Sequence, residues 1–91
     1  MSAPLDGNAI AGLLRELFAV DMTTARCRCE SCGATNELAG VEVYLDAPGA
    51  VLRCPGCTEV IARIVRAPGR AWLDLRGVGW VELRLPDGAA T

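Results

Sequence analysis

The chain of 91 residues carries 9 basic against 11 acidic side chains, a formal net charge of −2, and no histidine. The acidic balance argues against nucleic-acid binding through bulk positive charge, and apolar runs of only a few residues exclude a membrane span. At this length one small domain over residues 1–91 is expected, with a core modest enough to need a staple.

All 9 basic residues are arginine. With the abundant Ala, Gly, Val and Leu, this composition suggests a GC-rich bacterial genome. Without histidine, and with Ser2 and Ser31 as the only serines, a triad with a His base is impossible, so no enzyme is expected. Five cysteines and no signal-peptide pattern at Met1–Pro4 point to a reducing cytoplasm.

In chain order, residues 6–20 read as an amphipathic helix. Asp6 is the N-cap, and Ile10, Leu13, Leu14, Leu17 and Phe18 form one apolar stripe. Gly7 and Gly12 lower its intrinsic propensity, so the helix depends on tertiary contacts. Its stripe packs on the domain's own sheet or, in the alternative, offers Leu13 and Leu17 to a partner or to a second copy as a homo-oligomer.

A zinc-ribbon-like β-region is expected over 23–85. Asp21–Arg28 should be extended, with Thr23 and Thr24 suited to strand. Cys27 stands two residues before Cys29 and shares its strand face. It is a small apolar filler near the metal or, in the minority reading, an extra reactive thiol.

Cys29-Glu30-Ser31-Cys32 and Cys54-Pro55-Gly56-Cys57 are two Cys-x-x-Cys turns with residues 33–53 between them. Four thiolates must converge at about 2.3 Å from one ion, and two intervening residues let a tight turn aim both sulfurs the same way. Gly33 and Gly56 suit φ > 0 positions in such turns. Cys29, Cys32, Cys54 and Cys57 are therefore the expected ligands of a structural zinc, with iron as the minor alternative.

Between the turns, Val41–Leu45 alternates and Asp46-Ala47-Pro48-Gly49 signals a type II turn with Gly49 at its third position. Ala50–Arg53 then returns as the second strand of a hairpin. Glu59–Ala67 is apolar on both faces and reads as a central strand covered on both sides. Trp72–Arg76 and Trp80–Leu85, separated by Gly77-Val78-Gly79, read as a further hairpin. Alternation turns Leu73, Leu75, Val81, Leu83 and Leu85 inward, and Trp72 and Trp80 outward with Arg76. That outer face is a candidate partner surface, unless a bulge or the helix covers it. Residues 86–91 form a flexible tail.

Several stretches carry a family resemblance: Leu5–Leu14, Met22–Ala25, the Cys29/Cys32 turn, Val43–Gly49, Val51–Cys57 and Trp72–Gly77. In these the chain resembles an uncharacterised family of small actinobacterial, zinc-ribbon-like proteins known as a domain of unknown function. The resemblance implies a protein about this long and no reaction. Cys27, and Thr58 where a glycine would commonly follow the second turn, depart from the family's pattern.

The expected fold is a small α+β, zinc-ribbon-like domain: an N-terminal helix, then an antiparallel sheet of hairpins around a Cys₄ site. The expected function is a zinc-stabilised adaptor that docks on a larger protein. The alternatives are a nucleic-acid-binding ribbon using clustered arginines, and a redox protein using the Cys₄ site or Cys27.

Overall fold

The computed structural model describes residues 5–18, 21–46 and 48–84. Its strands are β1 (Leu5–Asp6), β2 (Arg26–Cys29), β3 (Thr35–Glu37), β4 (Glu42–Asp46), β5 (Gly49–Arg53), β6 (Val60–Ala67), β7 (Arg70–Asp74) and β8 (Val78–Glu82), and its α-helix is α1 (Ala11–Leu17). The strands build two antiparallel sheets, β1-β4-β5-β6-β7 and β3-β2-β8, where a single sheet was expected.

The helix expected over 6–20 is shorter. Gly7–Ile10 forms a 3₁₀ turn capped by Asp6, whose carboxylate accepts the Asn8 N–H at 3.1 Å, and only then does α1 begin. A β-carbon on Gly7 would lie 1.6 Å from the Leu38 carbonyl oxygen, so this segment is placed by backbone packing and not by helical periodicity. At the far end Phe18 becomes extended and its N–H closes on the Leu14 carbonyl at 2.9 Å. Ile10 and Leu14 are buried, and Leu13, Leu17 and Phe18 are partly buried against the same core. Residues 19–20 of the expected helix, Leu85 and the tail 86–91 lie outside the described residues.

Thr23 and Thr24 do not enter a strand. Asp21 accepts the backbone N–H and the hydroxyl of Thr23 at 3.0 and 2.6 Å, and its carbonyl accepts the Thr24 hydroxyl at 3.1 Å. Short polar side chains that bond locally favour such turns over a ladder, and Met22–Thr24 is accordingly a 3₁₀ turn.

The β4–β5 hairpin pairs Asp46 with Gly49, so Gly49 opens β5 and is not the third residue of a type II turn. It is glycine because a β-carbon there would lie 2.3 Å from the Ile64 carbonyl oxygen of β6.

β6 is central in its sheet but covered on one face only. The register shifts so that Leu52 faces Ala62 while Arg53 faces Val60. This bulge turns Ile61 and Ala62 to the same buried side. The opposite face leaves Arg63 and Val65 exposed. The apolar run that suggested two covered faces is thus the signature of a bulge.

β7 and β8 are not a hairpin. β7 pairs with β6 in the large sheet and β8 pairs with β2 in the small one. The chain crosses at Gly77, whose N–H donates to the Ile61 carbonyl (3.1 Å) while its carbonyl accepts the Glu30 N–H (2.9 Å). A β-carbon at 77 would lie 2.2 Å from the Val60 carbonyl oxygen, so only glycine passes there. A second bulge, where Arg28 faces Trp80 and Cys29 faces Val78, returns Val78 to the side shared with Val81.

The buried cluster runs continuously from Val43, Ala50, Leu52 and Ile64 of the large sheet to Cys27 and Cys29 of the small one. Beside it the two sheets leave an apolar groove of about 480 Å³, lined by Leu73 and Leu75 on one side and Val78, Val81 and Leu83 on the other. Leu14 of α1 and Phe18, just past its end, also line it. Leu73, Leu75, Val81 and Leu83 remain 38–47% exposed, so residues expected in a closed core line an open cleft instead.

Candidate metal centre

β2 delivers the first cysteine turn and β5 the second, so each knuckle grows from a different sheet. The two are built alike. In the first, the Cys29 carbonyl accepts the Gly33 N–H (2.8 Å) and the Cys29 N–H donates to the Ala34 carbonyl (2.8 Å). In the second, the Cys54 carbonyl accepts the Thr58 N–H (2.8 Å) and the Cys54 N–H donates to the Glu59 carbonyl (3.0 Å). Burial follows the same rule: Cys29 and Cys54, the first of each pair, are buried, Cys32 is exposed and Cys57 is intermediate.

The four sulfurs all lie within 4.8 Å of one another. Cys29 Sγ is 3.6 Å from Cys57 Sγ, and Cys32 Sγ is 3.7 Å from Cys54 Sγ. Four sulfurs at about 2.3 Å from a common ion would be separated by about 3.8 Å, so donor type and spacing both fit a tetrahedral metal. The Gly56 N–H donates to Cys54 Sγ at 3.4 Å, a contact that stabilises a thiolate.

The electrostatics point the same way. Backbone N–H donation from Cys32, outweighing desolvation, lowers the Cys29 thiol to about 7. At Cys57 the Glu59 backbone N–H also lowers the pKa, but desolvation and the neighbouring sulfurs of Cys29, Cys32 and Cys54 prevail and push it up to about 12. Four sulfurs this close cannot all ionise unaided; a cation among them removes the conflict.

The left-handed position is the fifth residue of each knuckle. Gly33 has φ 78° and Thr58 φ 66°, whereas Gly56, expected to need φ > 0, does not. The equivalence of Gly33 and Thr58, each four residues after the first cysteine of its pair, was the available signal. Arg53 donates to the Thr58 carbonyl at 2.8 Å and holds the turn.

The family model described as a family of unknown function, DUF6510, matches residues 1–86. The chain belongs to this family. No curated protein and no solved structure matches the DUF6510 chain.

Cys27 is outside the sulfur cluster of this DUF6510 member. It is 3% exposed, faces the core beside Cys29, and lines the groove. Burial raises its thiol pKa, and the Cys54 and Cys29 sulfurs add to the effect.

The structure places the candidate partner residues on separate elements. Trp72 and Trp80 are 53% and 44% exposed, uncovered by α1 or by a bulge, but they stand on different sheets. Arg76 is bound to Asp74 by side-chain contacts of 3.0 and 2.6 Å. Leu13 and Leu17 are partly buried against the core. What the sequence did not reveal is the groove, although β7 and β8 each turn leucine or valine to one face with little but a short helix to cover them. Among the described residues no helix is long and apolar enough to cross a membrane.

Proposed function

We propose that this protein is a zinc-stapled binding module of the cytoplasm, in which the Cys₄ site holds two sheets together and the groove between them receives an apolar segment of a larger protein. The groove carries this reading. Completing the burial of a Leu or Val side chain is worth up to about 1.5–3 kcal/mol, so covering the half-exposed Leu73, Leu75, Val81 and Leu83 supplies several kcal/mol to an interface. Zinc is the ion because four thiolates at tetrahedral spacing suit it and the chain fills all four positions, leaving none for substrate. The role is structural, as in zinc ribbons generally.

The nucleic-acid reading is less well supported. Arg66 is paired with Glu16 and Arg76 with Asp74, while Arg53 is engaged with Thr58 and stands over the Tyr44 ring. Arg26 and Arg28 lie on the other sheet. The arm of the redox reading that uses Cys27 has to place its reactive thiol at a buried side chain.

The test is affinity capture from the native host with the zinc-loaded chain and with Leu83→Glu, a change at an exposed residue of the groove. A protein retained by the wild type and lost with Leu83→Glu is expected. Identical recoveries from the two baits would refute the groove as a docking site.

A further inference from the structure

We infer that the outer edge of β7 pairs with β7 of a second copy of this chain, joining two large sheets across a two-fold axis at Trp72. Among the described residues no strand pairs with that edge. Its hydrogen-bonding sense follows from β6, where Arg66 donates its N–H to the Pro48 carbonyl at 3.2 Å, away from β7. Alternation then makes Arg66–Ala71 and Ile64–Leu73 the non-hydrogen-bonded pairs of the β6–β7 ladder. The N–H and C=O groups of Ala71 and Leu73 therefore point to the open edge.

Pairing about Trp72 sets Ala71 against the partner's Leu73 and Leu73 against the partner's Ala71. All four outward groups of each strand are satisfied by four shared N–H···O bonds. Trp72 meets the partner's Trp72 in the closer, non-hydrogen-bonded position, where side chains pack best. Arg70 falls opposite the partner's Asp74, which already holds Arg76 of its own chain and would be shared between the two arginines, and symmetry repeats that pair. An axis at Leu73 is poorer on both counts. It would set Arg70 against the partner's Arg76, and it would call on the Leu75 carbonyl, which already accepts the Val78 N–H at 3.0 Å.

Charged residues usually blunt an exposed strand edge. Here their order makes the edge self-complementary in one register. Trp72, Arg70 and Asp74 share the sheet face opposite Leu73, so the pairing leaves the groove free and stands independently of the function proposed above. A five-residue edge makes a small interface, so the dimer is reversible and depends on concentration.

Sedimentation velocity on the full zinc-loaded chain, from micromolar to millimolar, is the test. A monomer–dimer equilibrium is expected. Leu73→Pro removes an outward N–H while sparing the bonds to β6, and yields a monomer that retains its zinc. Arg70→Asp opposes like charges and weakens the dimer by about tenfold or more, whereas Arg70→Lys keeps it. A wild type that stays monomeric throughout overturns the inference. So does a dimer that either Leu73→Pro or Arg70→Asp leaves at wild-type strength.

Discussion

Thr58 holds a backbone conformation that a β-branched residue rarely adopts, at the position its twin knuckle gives to Gly33. A side chain in the left-handed region costs roughly 1–2 kcal/mol, and glycine avoids that strain at some entropic cost to the unfolded chain. Thr58→Gly should therefore stabilise the protein by about 1 kcal/mol, read as a higher Tm with unchanged metal content. Gly33→Ala should do the reverse. Cys27, buried and with its pKa raised, should stay unmodified by iodoacetamide in the folded protein and become reactive on denaturation. A mass spectrum before and after chelator and denaturant distinguishes the two states.

Besides their shared core, the two sheets meet at the metal centre and at the Gly77 crossing. Gly77→Ala would force a β-carbon onto the Val60 carbonyl and the Ile61 backbone, and should destabilise by about 3 kcal/mol or more in denaturant unfolding. Removing the proposed zinc should be costlier still. Metal binding by small Cys-rich domains contributes about 10–16 kcal/mol, so a strong chelator should abolish the β-sheet circular dichroism, and added zinc should restore it. The pH dependence has a fixed sign. The metal-bound state needs thiolates, so its stability is present at neutral pH and falls on acidification as protons displace zinc. Free zinc followed with a colorimetric chelator should rise as unfolding proceeds.

These joints also show what could be read from the chain. The knuckles were legible because ligand type and spacing are local, and the strand alternation around Val43 and Leu73 correctly separated the two faces. The pairing of β7 and β8 was not legible. Gly77-Val78-Gly79 suits a hairpin turn and a sheet-to-sheet crossing equally, and what decides is the contact of Gly77 with Val60 and Ile61, a tertiary fact. In the same way the doubly apolar look of β6 came from one bulge, and Thr23 and Thr24 obeyed Asp21 before their strand propensity.

For the whole molecule a metal bound by the four cysteines would act as a clamp between layers, because one knuckle stands on each sheet. It would thereby set the width of the groove, and zinc content and partner binding should be lost together. The groove and the β7 edge use opposite faces of the large sheet, so a dimer could present two binding clefts.

The small sheet also fixes an order of events. Its middle strand, β2, lies near the start of the chain, and its partner β8 near the end, with the whole β4–β7 ladder between them. Loop-closure entropy makes such a distant pairing late. During folding the large sheet, built from neighbouring hairpins, can assemble before β8 docks, and a metal held by the two knuckles, complete by Cys57, can draw β2 against it. β8 then docks into a slot already shaped, and a chain truncated before Val78 would keep both cysteine pairs but expose one bare edge of β2.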